Sequence, residues 1–251
     1  MILAVIQARM DSSRLPGKVL KDVKGIKILE LCYSRLKKSN LIDDIILAIP
    51  DIPGDDVLAQ FLGEKKINFF RGDSIDVLSR IIDASSIFNC SHIVRITGDC
   101  PLICPKIIDE MIALSICKNV DYAWVHESFA EGADGEIIKV NVLREAYEKA
   151  TLASEREHVT QYIHNNGNRF SRMPLINDRD HSNIRFVLDN PEDFEVLKKV
   201  LNYFPREKWD TIEYSEIIKY FRENPEIANL NKHIVRNEGL SISLKNDTKI
   251  R

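Results

Sequence analysis

Residues 2–20 read I-L-A-V-I-Q-A-R-M-D-S-S-R-L-P-G-K-V-L, and this stretch decides the fold. Ile2 to Ile6 is a short apolar run with branched residues, the pattern of a parallel strand buried on both faces. Gln7, Arg9, Ser12, Ser13, Arg14 and Lys18 follow, placing three cations and several hydroxyl or amide groups within twelve residues, punctuated by Pro16-Gly17. A loop leaving the carboxyl end of a strand is where α/β sheets bind ligands. Arginine forks match phosphate oxygens and lysine adds a point charge, so Arg9, Arg14 and Lys18 point to a polyanion, a triphosphate above all. Gly17 lets the backbone approach that ligand. An isolated R-x-x-x-x-R would be read as a solvated basic turn; its position directly after the first strand favours phosphate binding.

R-M-D-S-S-R-L-P-G-K at 9–18 resembles the signature of the cytidylyltransferases that make CMP-activated sugar acids, the acylneuraminate and Kdo type, and within them the spore-coat polysaccharide biosynthesis branch. The resemblance implies a Rossmann-like α/β fold of the nucleotide-diphospho-sugar transferase kind, with a mostly parallel sheet flanked by helices and a small α+β extension. It also implies a loop that wraps the triphosphate of CTP, with Gln7, Ala8, Arg9, Ser13, Arg14 and Lys18 as nucleotide contacts.

At 251 residues the chain suits one nucleotidyltransferase domain: a nucleotide-binding half over about 1–120, an acid-binding part over 121–190 and a helical part over 191–251. A net charge of −3 lends no support to a nucleic-acid or anionic-membrane partner. No segment approaches the roughly 18 apolar residues of a membrane span. Met1 leads straight into the strand, which leaves no room for a signal peptide and predicts a cytoplasmic protein. Five cysteines, an odd number in mostly apolar surroundings, fit a reducing compartment.

Helical spacing runs over 27–38, with Arg35, Lys37 and Lys38 placed to favour the helix dipole. Ile45 to Ile49 reads as a strand, Asp55 to Leu62 as a helix and Ile67 to Phe70 as a third strand. The next helix has Ser74 as its predicted N-cap. Asp76 and Arg80 on it resemble the family's segment near the nucleotide base, and a solvated helix start accounts for the same residues.

His92 to Thr97 is a fourth strand and delivers T-G-D-C-P-L at 97–102. A carboxylate at Asp99 beside a triphosphate suits Mg²⁺, which takes one or two protein carboxylates plus phosphate oxygens. It equally suits a turn capping the helix predicted at 105–116. The resemblance decides between them, because G-D-x-P-L is where the family keeps its metal-binding aspartate. In I-R-F-V-L-D-N-P-E-D-F-E at 184–195, a strand over Ile184 to Leu188 leads to Asn190 as N-cap and Pro191 at the first helical position. Asp189 stands between them and resembles the aspartate of V-D-T-P-E-D-L, the family's second metal ligand.

After a strand over Tyr122 to His126, the loop and strand S-F-A-E-G-A-D-G-E-I-I-K resemble a segment bordering the family's sugar pocket, with Ala130 in place of its proline. Asp134 and Glu136 are thereby candidate acid contacts; surface loop acids are the alternative. Ser154 and Glu157 have capping-box spacing for a helix over 154–164. Its first turn carries Arg156 and His158, a plausible carboxylate receptor, with a structural use of His158 equally open. Asp178-Arg179-Asp180 matches the D-x-D of glycosyltransferases without directly following an apolar strand. Helices are expected over 191–203 and 213–223, and Lys245 to Arg251 as a frayed tail.

The resulting expectation is a cytidylyltransferase joining CTP to a sugar acid with Mg²⁺ and releasing pyrophosphate. The catalytic set is Arg9, Lys18, Asp99 and Asp189, and homodimerisation is common in the family. The alternatives are a metal-dependent glycosyltransferase, a cytidylyltransferase for a phosphate or phosphonate acceptor, and a nucleotide-sensing scaffold. Three cations in one loop argue against a nucleoside diphosphate sugar.

Overall fold

The computed structural model describes residues 1–250. In chain order the elements are β1 (Ile2–Gln7), β2 (Asp22–Val23), β3 (Ile26–Lys27), α1 (Ile28–Leu36), β4 (Asp44–Pro50), α2 (Asp56–Glu64), β5 (Phe69–Gly72), α3 (Val77–Ser86), β6 (His92–Thr97), α4 (Pro105–Lys118), β7 (Tyr122–Val125), β8 (Glu136–Lys139), α5 (Val140–Lys149), α6 (Ala153–Glu157), α7 (Gln161–Asn165), β9 (Arg172–Leu175), α8 (Pro191–Tyr203), α9 (Tyr214–Glu223), α10 (Pro225–Ala228) and α11 (Glu238–Lys245). Seven strands form one sheet in the order β5-β4-β1-β6-β8-β7-β9. Only β8 in that sheet runs against its neighbours, so it is mostly parallel, and β2 with β3 forms a small separate antiparallel pair.

The apolar first strand takes the central place that its composition demands. Ala4 and Ile6 pack into the core shared with α1, α2, α4, α8 and α9. Leu3 and Val5 face the opposite core, with α3, α5 and α7. Burial on both faces is why the run does not alternate with polar residues. No helix among the described residues is long and apolar enough to cross a membrane.

Several expectations are corrected. The third strand begins two residues late, at Phe69. The cap of α3 is Asp76, whose carboxylate accepts from Ser79 N, rather than Ser74. The helix expected over 154–164 is two short helices, broken where buried Val159 adopts φ +60°. A β-branched residue there is a strained outlier, costing of order 1–3 kcal/mol. Glu155, not Ser154, holds the start of α6, accepting from Thr151 N and Leu152 N. Ser154 instead donates to Asp247. That bond, Ile250 N to Thr151 O and Ala153 N to Thr248 O tie down the tail that sequence alone left frayed, over its described part. Residues 184–188 form no strand but a single parallel bridge, Glu131 to Arg185.

Arg35, read as a dipole partner, is fully buried. It donates to the carbonyls of Ile103 at 2.9 Å, Trp209 at 2.5 Å and Ile212 at 2.7 Å, tying α1 to the segments that precede α4 and α9. Arg35→Leu strands three carbonyl groups, each at about 1–3 kcal/mol. Urea unfolding should therefore show a loss of at least about 3 kcal/mol.

Candidate active site

The loop after β1 is shaped before any ligand arrives. Met10 N donates to Asp55 Oδ1 at 2.8 Å, and Gly17 N donates back to Met10 O at 3.0 Å, closing the loop at its base. Gly17 sits at φ +66°, a conformation that a side chain would strain. Gly98, after β6, matters for space: a Cβ there would lie 2.9 Å from Leu29 Cδ1 and 3.1 Å from Ala8 Cβ. Its absence lets the Asp99 turn press against the phosphate loop, with Gly98 N bonded to Gln7 O at 2.8 Å.

Asp189 arrives from far along the chain. Leu188 N donates to Asp99 O at 2.8 Å, which brings the two aspartates side by side. Both converge on one ammonium: Lys18 Nζ lies 2.5 Å from Asp99 Oδ2 and 2.6 Å from Asp189 Oδ1. Burial pulls the Lys18 pKa down, but the two carboxylates outweigh it and hold the ammonium charged, above its ordinary range. Burial pushes Asp189 up, and Lys18, Arg14 and Arg185 bring it below the usual carboxylate range. Arg14 reaches Asp189 at 3.3 Å and Glu238 at 3.2 Å. Arg9 is exposed on the loop and makes no hydrogen bond or ion pair among the described residues.

These groups line a cleft with two lobes, of about 370 and 630 Å³. The smaller holds the phosphate loop, including Gln7, Ala8, Arg9, Ser13, Arg14 and Lys18, with Arg80 in its wall. Arg80 is 2% exposed and donates to Asp73 O at 2.5 Å. Burial and the neighbouring Arg9 lower its pKa to about 10, so it stays charged at neutral pH. The larger lobe is walled by Tyr122 and Trp124, stacked with centroids 5.2 Å apart, and by Thr160 and His164. His158 lines both lobes; burial lowers its pKa, keeping the ring neutral at pH 7.

Four expected ligand contacts have other work. Asp76 caps α3 and pairs with Arg156 at 3.1 Å, outside both lobes. Arg156 is 2% exposed, with further donation to Tyr147 O and Ala150 O, so it points into the protein and not at an acid. Glu136 lines the larger lobe, but its carboxylate is taken by Arg95, Tyr122 and Thr160. Asp134 lines the larger lobe as well as holding its own loop, accepting from Gly132 N and Arg236. Asp178 and Asp180 lie in a surface loop away from the cleft.

Sequence reading passed over Arg95 and Arg185. Each is an arginine inside an apolar run, and that interruption was the available signal. Arg185 gathers Glu131 at 2.6 Å, Asp193 at 2.9 Å and Asp189 at 3.4 Å, anchoring the second aspartate. Also unread was α11, whose Glu238, Gly239 and Ile242 border the cleft mouth.

Among known proteins the chain is 30% identical over 235 residues to spore coat polysaccharide biosynthesis protein SpsF of Bacillus subtilis, covering 90% of this chain and 96% of that one. It is 34% identical over 112 residues to the 3-deoxy-manno-octulosonate cytidylyltransferase of Syntrophotalea carbinolica, covering 45% of this chain and 44% of that one. A solved cytidylyltransferase from Leptospira borgpetersenii matches with a TM-score of 0.85 at 32% identity, covering 90% of this chain and 96% of that one. The cytidylyltransferase family model matches residues 3–238, so this chain belongs to the cytidylyltransferase family and is a nucleotidyltransferase.

Proposed function

We propose that the protein transfers the cytidylyl group of CTP to a hydroxyl of a sugar acid, releasing pyrophosphate, for a surface polysaccharide or related glycoconjugate. The observation that carries this reading is the Lys18 ammonium held between Asp99 and Asp189 beside a loop that also presents Arg9 and Arg14. The named activity of the Syntrophotalea relative and the named pathway of the Bacillus relative support the acceptor class.

Asp99 and Asp189 fit a divalent cation on one ground: both already converge on a single positive charge, the Lys18 Nζ. Among the described residues no group of three or more His, Cys, Asp or Glu is arranged to hold a metal. Two carboxylates completed by phosphate oxygens and water are the pattern of Mg²⁺ that arrives with a nucleotide. When bound, Mg²⁺ neutralises phosphate charge at the reacting centre.

The chain's own residues do the rest. Arg9 and Arg14 hold the triphosphate by their forks, with Lys18 exchanging its carboxylate partners for phosphate oxygens. The acceptor hydroxyl, seated in the larger lobe, attacks the α-phosphorus and gives up its proton to water; the new P–O bond forms as the bond to the β-phosphate oxygen breaks, and pyrophosphate carries away the electron pair. Catalysis is positioning plus electrostatic stabilisation, with no covalent enzyme intermediate. Pyrophosphate release tests the reading. CTP with a sugar acid should give one pyrophosphate per CMP-acid formed; turnover of a UDP-sugar without pyrophosphate would move the chain to glycosyl transfer.

A further inference from the structure

Arg95 stands on β6 two residues before Thr97, where the two lobes meet, and lines both. Strand register sets it beside Glu136 on β8, and Glu136 beside Trp124 on β7. The three side chains thus form a row across the sheet at the floor of the larger lobe. Arg95 Nε donates to Gln7 Oε1 at 2.8 Å and Nη1 to Glu136 Oε2 at 2.5 Å. The other oxygen of Glu136 accepts from Tyr122 at 2.5 Å and Thr160 at 2.8 Å. Burial pushes the Glu136 pKa up, but Arg95 and these hydroxyls bring it below its ordinary value.

The guanidinium is therefore held through Nε on one side and Nη1 on the other, with Nη2 between them unengaged. Its Nη2 makes no hydrogen bond among the described residues, and the side chain is 13% exposed. The other arginines around the larger lobe have both terminal nitrogens engaged. Arg185 holds three carboxylates, Arg236 holds two carbonyls and Asp134, and Arg14 holds Asp189 and Glu238. A part-buried ion pair kept only for stability is of doubtful benefit against apolar packing, and it needs no spare donor aimed into a cavity. The charge of Glu136 is shared among three donors, so the Nη2 amino group of Arg95 still presents positive potential to an anion.

We propose that Arg95 receives the anionic group of the acceptor through Nη2, and that Glu136 is the positioning residue that holds the fork in that orientation. The assignment rests on the acid-acceptor reading given above. It places the acceptor's carboxylate on the sheet floor and its remaining body along Trp124 and Tyr122.

The test is steady-state pyrophosphate release with 3-deoxy-manno-octulosonate, N-acetylneuraminate and legionaminate, alongside CTP binding. For whichever acid the wild-type chain uses, Arg95→Gln should raise the acceptor KM at least about tenfold, the scale of a charged hydrogen bond. The Kd for CTP should stay within about twofold, and the retained CTP-induced thermal shift reports an intact fold. Arg95→Lys should recover part of kcat/KM, since it keeps the charge and loses the fork. Glu136→Gln should raise the acceptor KM less than Arg95→Gln does. An unchanged acceptor KM in Arg95→Gln would make Arg95 a structural residue, and an equal weakening of CTP would make it a nucleotide contact; either overturns the assignment. A wild-type chain that binds CTP yet uses none of the three acids overturns the acid reading and this assignment with it, a failure visible without any variant.

Discussion

Lys18→Ala is expected to lower kcat by roughly 10²–10³, the scale of removing one preorganised donor from a developing charge. The Lys18 side chain is 12% exposed, with its ammonium between two carboxylates. The same change has a second, opposite signature. Without Lys18, Asp99 and Asp189 face each other with no cation between them, so the nucleotide-free chain should bind Mn²⁺ or Mg²⁺ more tightly than wild type. A lysine that served only to stabilise the loop would lower the melting temperature without either effect. Turnover within twofold of wild type would remove Lys18 from the mechanism.

Asp189→Asn is expected to reduce kcat by a comparable roughly 10²–10³ and to raise the Mg²⁺ concentration needed for half-maximal rate. The substitution keeps the shape of the side chain and removes its charge. Arg185 retains Glu131 and Asp193, so the fold should lose no more than about 2 kcal/mol. That separation makes the experiment clean: activity falls far while unfolding midpoints move little. Excess Mg²⁺ should restore part of the rate. An unaltered Mg²⁺ requirement would place the ion elsewhere.

The parallel sheet was legible because its strands are short apolar runs followed by turn residues, and this physics is local. Asp99 stands directly after such a run at the sheet's carboxyl edge, but the likeness to G-D-x-P-L singled it out, and Asp189 came from resemblance too, since 184–188 make one bridge and no strand. Their common partner was not legible, because a contact between residues 18 and 189 leaves no trace in spacing. Glu136 and Arg156 show the reverse case. Both sit in segments that resemble a ligand site, yet each is consumed by protein partners that the sequence cannot display. The helix over 154–164 failed on backbone strain: nothing in R-E-H-V-T announces a left-handed valine. Arg95 and Arg185 share one missed signal, an arginine embedded among apolar neighbours, which is costly to bury without dedicated partners.

The most direct measurement is the thermal stability of the wild-type chain with Mg²⁺ and, in turn, CTP, UTP, GTP, ATP and UDP-sugars. A ligand that binds only the folded state raises its stability by about 2.7 kcal/mol at a hundred times Kd. The account predicts a shift for CTP with Mg²⁺ that is larger than for any other nucleotide and is much reduced in Arg9→Ala, Arg14→Ala and Lys18→Ala. A shift with UDP-sugars and none with CTP would contradict it.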